Sequence, residues 1–252
     1  MTKNIIYPQN SILFELFGSE FEFVNSGFST GEYNMEYDME RVLKCSGNAD
    51  YPMLRLYGWK PWAVSLGYNQ KAVSINTGLC ARYGFDIVRR PTGGRAVLHA
   101  NELTYSFVLP VSKDKTVHEI YRLIHEFLLS NLKKIVPDLG FFRKQVDLNN
   151  FYKSSDMSVS CFASSAKYEI EYNGRKLVGS AQRLFGNTLL QHGSILIGSG
   201  HELLADVSNF KTGEDRERLK KLILQQSINL EEASARKLSF EDCVRLVESE
   251  IY

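Results

Sequence analysis

Between the apolar run Phe85, Ile87 and Val88 and the alternating run Leu103–Leu109 lies the stretch Arg89-Arg90-Pro91-Thr92-Gly93-Gly94-Arg95-Ala96-Val97-Leu98-His99. No other feature restricts the fold as much. Adjacent glycines between two extended segments let backbone come very close to another group. The three arginines around them add fixed positive charge and forked donors. Two readings follow. One is a tight hairpin with exposed arginines. The other is a loop whose main-chain N–H groups grip a thin, elongated ligand carrying a phosphate or carbonyl. A Walker loop is excluded, because no Gly-Lys-Ser/Thr follows at the required spacing.

A second constellation lies downstream. Cys161-Phe162-Ala163-Ser164 precedes Tyr168-Glu169-Ile170-Glu171-Tyr172, then Asn173-Gly174, then Arg175-Lys176-Leu177-Val178-Gly179-Ser180-Ala181-Gln182-Arg183. Asn-Gly between strand-like runs predicts a two-residue hairpin with Lys176 at the start of the returning strand. The small residues Gly179-Ser180-Ala181 read as a break in that strand. A Gly186-Asn187 turn then leads to the strand Leu189–Ile197, interrupted by Gln191-His192-Gly193. Together these pieces describe glycine-broken strands lining one groove, with a thiol and an amine available for chemistry.

The remaining elements read as α+β. Ser29-Thr30-Gly31-Glu32 has capping-box spacing, followed by Met35, Met39, Val42 and Leu43 on one helical face. Met53–Tyr57 and Ala63–Leu66 read as short strands, Val73–Tyr83 as a helix, and 115–133 as a strongly amphipathic helix. Residues 136–160 read as an irregular, mobile loop. After Val207 the chain turns charged and helical, with Ser239 capping a last helix that turns Phe240, Val244, Val247 and Ile251 inward. We expect a catalytic domain over 1–210 and a helical extension of the same domain over 211–252.

Composition narrows the function classes. The chain has 252 residues, 44% of them hydrophobic and 12% aromatic, ample for a packed core. Thirty Lys and Arg against 29 Asp and Glu leave a net charge of +1, with no broad nucleic-acid footprint. No apolar run approaches a membrane span, and the N-terminal residues lack a secretory pattern. Cys45, Cys80, Cys161 and Cys243 are scattered, with no CxxC pair for zinc. Isolated thiols fit a reducing cytoplasm, the expected location.

The motifs Arg89–His99, Glu102-Leu103-Thr104-Tyr105-Ser106, Gly174–Gln182 and Gln191-His192-Gly193-Ser194 resemble the lipoate/biotin protein ligase superfamily. Within it the chain is most similar to the cysteine-dependent octanoyltransferases that load octanoyl groups onto lipoyl domains. One departure is Ala100, where the family usually has Asp. The resemblance implies a ligase-like catalytic domain with a mixed or antiparallel sheet flanked by helices. It implies Cys161 as the nucleophile and Lys176 as the charge that lowers its pKa and polarises the carbonyl. It implies substrate contacts at Arg90, Gly93, Gly94, Arg95, His99, Gly179, Ser180, Ala181, Gln182, His192 and Gly193. No cofactor and no metal are expected. The implied partners are octanoyl-acyl carrier protein as donor and a lipoyl protein as acceptor, the glycine cleavage H protein or a 2-oxoacid dehydrogenase E2. A monomer is expected, with no nucleic acid and no membrane.

Each candidate also has a plainer reading. Cys45, Cys80 and Cys243 read as small buried hydrophobes. Lys176 could be a solvated charge beside a turn. His99 and His192 read as pocket-lining groups, and His118, His125 and His201 as structural ones. Val97, Leu177, Leu66 and Trp62 are expected walls of an acyl tunnel. The competing functions are an ATP-dependent lipoate ligase, an octanoyl amidotransferase between lipoyl proteins, and a non-catalytic binder of acylated carriers.

Overall fold

Helix starts in this chain are fixed by side-chain caps. In the computed structural model, which describes residues 2–6, 11–18, 20–47, 51–142, 168–210 and 212–251, the Thr30 side chain accepts from the Tyr33 backbone N–H. That opens α2 (Gly31–Ser46), so the cap is Thr30, and Ser29 instead ends a strand. Thr116 with Glu119 forms a full capping box on the helix Val117–Leu132, and Ser239 with Asp242 does the same for Phe240–Glu248.

The first half of the chain contains β1 (Thr2–Ile6), α1 (Ile12–Phe17), β2 (Glu20–Ser29), α2, β3 (Met53–Trp59) and β4 (Ala63–Leu66). Next come α3 (Thr77–Tyr83), β5 (Asp86–Arg89), β6 (Val97–His99), β7 (Glu102–Pro110) and α4 (Val117–Leu132). The second half holds β8 (Gly140–Phe141), β9 (Ile170–Tyr172), β10 (Arg175–Lys176), β11 (Val178–Phe185) and β12 (Thr188–Leu196). It finishes with α5 (Gly213–Gln226), α6 (Leu230–Ser234) and α7 (Phe240–Glu248).

Six strands form one mixed sheet in the order β1-β2-β3-β7-β12-β11, with β2 and β3 parallel and the other pairs antiparallel. Two three-stranded sheets, β10-β9-β8 and β5-β4-β6, complete the β structure among the described residues. The main core joins the large sheet to α1, α4 and α7, through Phe21, Leu54, Phe107, Ile124, Leu128, Val244 and Val247. A second core under β4 and β6 receives Leu219 and Ile223 from α5. Among the described residues, no helix is long and apolar enough to cross a membrane.

Several elements differ from the sequence reading. The helix expected over 73–83 begins only at Thr77, because Asn76 caps it by accepting from the Leu79 N–H; Ala72–Ser74 is a 3-10 turn and Val73 is exposed. Leu43 is 69% exposed, so it is not on the buried face of α2. That face instead carries Asn34, Asp38 and Arg41 between Met35 and Val42. The expected break at Gly179–Ala181 is absent: the chain changes sheet at Leu177, and β11 then runs unbroken. The irregular stretch contains a strand, β8, paired with β9. The Asn173-Gly174 hairpin is present, with φ of 51° and 77° at its two residues, as its turn type requires.

Candidate active site

One register row crosses the large sheet from β3 to β11. Tyr57 lies opposite Thr104, Thr104 opposite Ser194, and Ser194 opposite Gly179. All four border one cavity. Side chains alternate across a strand, so this row and its neighbours Trp59, His192 and Ala181 share one face. Ser65, Arg90, Val97 and His99, on the small β5-β4-β6 sheet and its loop, line the cavity from the other side, and α2 contributes Met35.

Two buried histidines in this lining are each held by a carboxylate. His99 Nδ1 lies 2.8 Å from Glu102 Oε1, and its Nε2 lies 2.7 Å from Ser65 Oγ. Glu102 Oε1 also accepts from the hydroxyls of Thr104 (2.6 Å) and Ser194 (2.7 Å), while the His99 ring stacks on Trp59 at 4.0 Å. His192 Nδ1 faces Asp38 Oδ2 at 3.4 Å, and its Nε2 faces Thr92 Oγ1 at 2.6 Å. Burial pulls the His192 pKa down, with Asp38 acting in the opposite direction. For Asp38, burial opposes the charge, yet His192 and Arg55 outweigh it and hold the carboxyl below its ordinary range. The Arg55–Asp38 pair is 3.0 Å apart and fully buried.

The glycine loop is not the tight hairpin of the first sequence reading. β5 and β6 are not hairpin partners, since β4 lies between them. Arg90 is buried and turns its guanidinium onto the loop, donating to the carbonyls of Ser65, Gly93 and Arg95. Arg89 donates to the carbonyls of Gly67, Tyr68 and Gln70. Arg183 donates to Pro91 O at 2.9 Å and lies 4.0 Å from the Tyr68 ring centroid. The close backbone approach is internal: a Cβ on Gly67 would lie 2.0 Å from Gly94 O, and Gly94 itself has φ of +99°.

Beneath β11, on the opposite face of the sheet, is a polar cluster. Lys176 is buried and pairs with Glu169, also buried, at 2.7 Å. The Ser180 hydroxyl lies 2.6 Å from Tyr105 Oη and 2.9 Å from His125 Nε2. Burial lowers the His125 pKa to about 4, helped by the nearby Lys176 charge, and burial raises Tyr105 to about 12.

Of the sequence-predicted site residues, Arg90, His99, Gly179, Ser180, Ala181, His192 and Gly193 line the cavity. Gly93, Gly94, Arg95 and Gln182 do not, and neither does Lys176, which belongs to the polar cluster on the opposite face of the sheet. Cys161 lies outside the described residues. Of the expected tunnel walls, Val97 is one; Leu66 and Trp62 belong to the second core and Leu177 to the main core. Cys45, Cys80 and Cys243 are buried, with burial raising Cys80 and pushing Cys243 to about 12. Sequence reasoning missed Asp38, Arg55, Glu102, Glu169 and the place of His125. Asp38 was findable, because it sits three residues after Met35 and four before Val42.

A sequence model of the lipoyl protein ligase A/B catalytic domain matches residues 30–252. Octanoyltransferase LipM of Geobacillus kaustophilus is 34% identical over 224 residues, 87% of this chain and 81% of that protein. Octanoyltransferase LipM of Kyrpidia tusciae is 36% identical over 222 residues, 86% and 81% of the two chains. Among solved structures, the bi-partite lipoate protein ligase of Thermoplasma acidophilum aligns with a TM-score of 0.68 at 19% identity, over 91% of this chain and 82% of that one. At that identity the likeness bears on fold alone. On the family match and these relatives, the chain belongs to the lipoyl protein ligase A/B catalytic domain family.

Proposed function

We propose that this chain is an octanoyltransferase of lipoate biosynthesis, an acyltransferase that works through a thioester on Cys161. The observation that carries the reading is a buried, charge-paired Lys176 in the polar cluster beneath the β11 wall of the cavity, in a chain whose relatives are octanoyltransferases. Octanoyl-acyl carrier protein is the donor. The Cys161 thiolate attacks the thioester carbonyl, the carbon–sulfur bond to the carrier breaks, and the carrier's thiolate leaves and takes up a proton. The neutral lysine amine of a lipoyl domain, in the glycine cleavage H protein or a 2-oxoacid dehydrogenase E2, then attacks the new thioester; the carbon–sulfur bond to Cys161 breaks, the amine gives up a proton, and the octanoyl group leaves as an amide. Thioester exchange is nearly balanced and amide formation runs downhill, so no ATP is needed.

Lys176 contributes fixed positive charge. An ammonium near a thiol favours the thiolate and stabilises negative charge developing on the carbonyl oxygen. Glu169 pairs with that ammonium at 2.7 Å, so the buried charge is not left alone. The chain acts as a cytoplasmic monomer in this reading. Arg90, Gly93, Gly94, Arg95 and Gln182 serve the substrate by holding the walls in place.

The test is transfer without nucleotide. The chain should move octanoyl from its carrier to an apo lipoyl domain with no ATP present, and intact-protein mass spectrometry should show a hydroxylamine-labile octanoyl adduct lost in Cys161→Ala. Free octanoate with ATP and magnesium should give little product. Robust ATP-dependent lipoylation, with no transfer from the carrier, would overturn the assignment in favour of a ligase.

A further inference from the structure

We infer that Met35 sets the longest acyl chain this site accepts, by closing the end of the cavity remote from the chemistry. The inference rests on the octanoyltransferase reading above. The cavity has a direction, given by the row that crosses β3, β7, β12 and β11. Its β11 end carries Ser180, whose hydroxyl bonds His125 beneath the sheet, and the Lys176 charge acts on that same histidine. Three interstrand spacings, about 14 Å, separate that end from β3. An acyl group with its carbonyl near β11 therefore points its methyl end toward Tyr57, Trp59 and Met35.

At that far end one side chain faces two spaces. Met35 lines the cavity, and it also lines a solvent-open cleft formed by Thr30, Glu32, Glu36 and residues 86–89. No other described residue belongs to both linings. Met35 packs with Tyr57, Trp59 and Ala63 in a small apolar cluster, and Val88 of the cleft packs against it. The N-terminus of α2 sits directly on β5: a Cβ on Gly31 would lie 2.7 Å from Val88 Cγ1.

Its neighbours are pinned and Met35 is not. Tyr57 Oη bonds Asp38 at 3.1 Å, and Trp59 Nε1 donates to Thr104 at 2.7 Å. Methionine carries no such anchor and has an unbranched, adaptable side chain. Beyond it, Glu32, Glu36 and Asp86 make the cleft acidic and wet, so a methylene that reaches it gains no burial. Shortening Met35 joins the cavity to the Ile87–Val88 side of the cleft and lets extra methylenes be covered. Enlarging it moves the stop inward.

The experiment compares kcat/KM for hexanoyl, octanoyl, decanoyl and dodecanoyl acyl carrier protein with an apo lipoyl domain as acceptor. Wild type should prefer octanoyl. Met35→Ala should raise the decanoyl-to-octanoyl ratio roughly tenfold, the change that accompanies cover for two methylenes. Met35→Phe, which keeps the site filled, should raise the hexanoyl-to-octanoyl ratio instead. If wild type transfers octanoyl and both variants keep its chain-length profile, Met35 is not the stop and the function stands. If wild type transfers no acyl group from any carrier, the function and the inference fall together.

Discussion

Buried charge at this site is arranged so that each group has a partner within bonding distance, and that arrangement makes the protein sensitive to acid. His125 shows the sign. Unfolded, its imidazole takes up a proton near pH 6.5, and folded it does not do so until about 4. Below pH 6.5 the unfolded chain therefore binds more protons, and stability falls as pH drops from 6.5 toward 4. From His125 alone the loss is roughly 3 kcal/mol. His192 and His201, also lowered by burial, act in the same direction. Urea denaturation at several pH values should show this decline, and His125→Gln should make it shallower. An unchanged slope in the variant would remove His125 from the account.

At the scale of elements, the glycine loop shows what a sequence conveys and what it hides. Its glycines do mark a close backbone approach, and in the fold Gly94 meets Gly67, just past the end of β4. The local sequence around residue 93 holds no sign of Gly67, which meets the loop only because β4 lies between β5 and β6. Short-range signals were legible: the Asn173-Gly174 turn, the helix starting at Thr116, and the lining role of His99, Gly179 and His192. Long-range ones were not. Glu169 and Asp38 find their partners 7 and 17 residues away or more, through pairings that no periodicity reports. Gly67→Ala should shift the loop and lower octanoyl transfer roughly 100-fold, as ångström-scale misplacement does. Gly213→Ala, where a Cβ meets open space, should transfer normally. Equal rates in the two variants would mean the Gly67–Gly94 contact does not position the site.

At the scale of the whole molecule, the large sheet separates two environments. One face carries the cavity under the small sheet and α2; the other carries the main core, closed by α4 and α7, with Lys176 and Glu169 at its polar edge. The C-terminal helices belong to this packing, since Leu230, Val244, Val247 and Ile251 are all in the main core. The same packing determines where the other thiols lie: Cys45, Cys80 and Cys243 are each shut away from solvent. On the proposed mechanism the native protein is a single-thiol reagent despite its four cysteines. An aromatic disulfide probe should titrate one fast group in the folded state and four after denaturation, and peptide mapping should assign the fast one to Cys161. A second fast group would show that one of the buried three is within reach. With one, ordinary thiol colorimetry becomes a direct gauge of acyl occupancy, because each octanoyl group loaded silences one equivalent of colour.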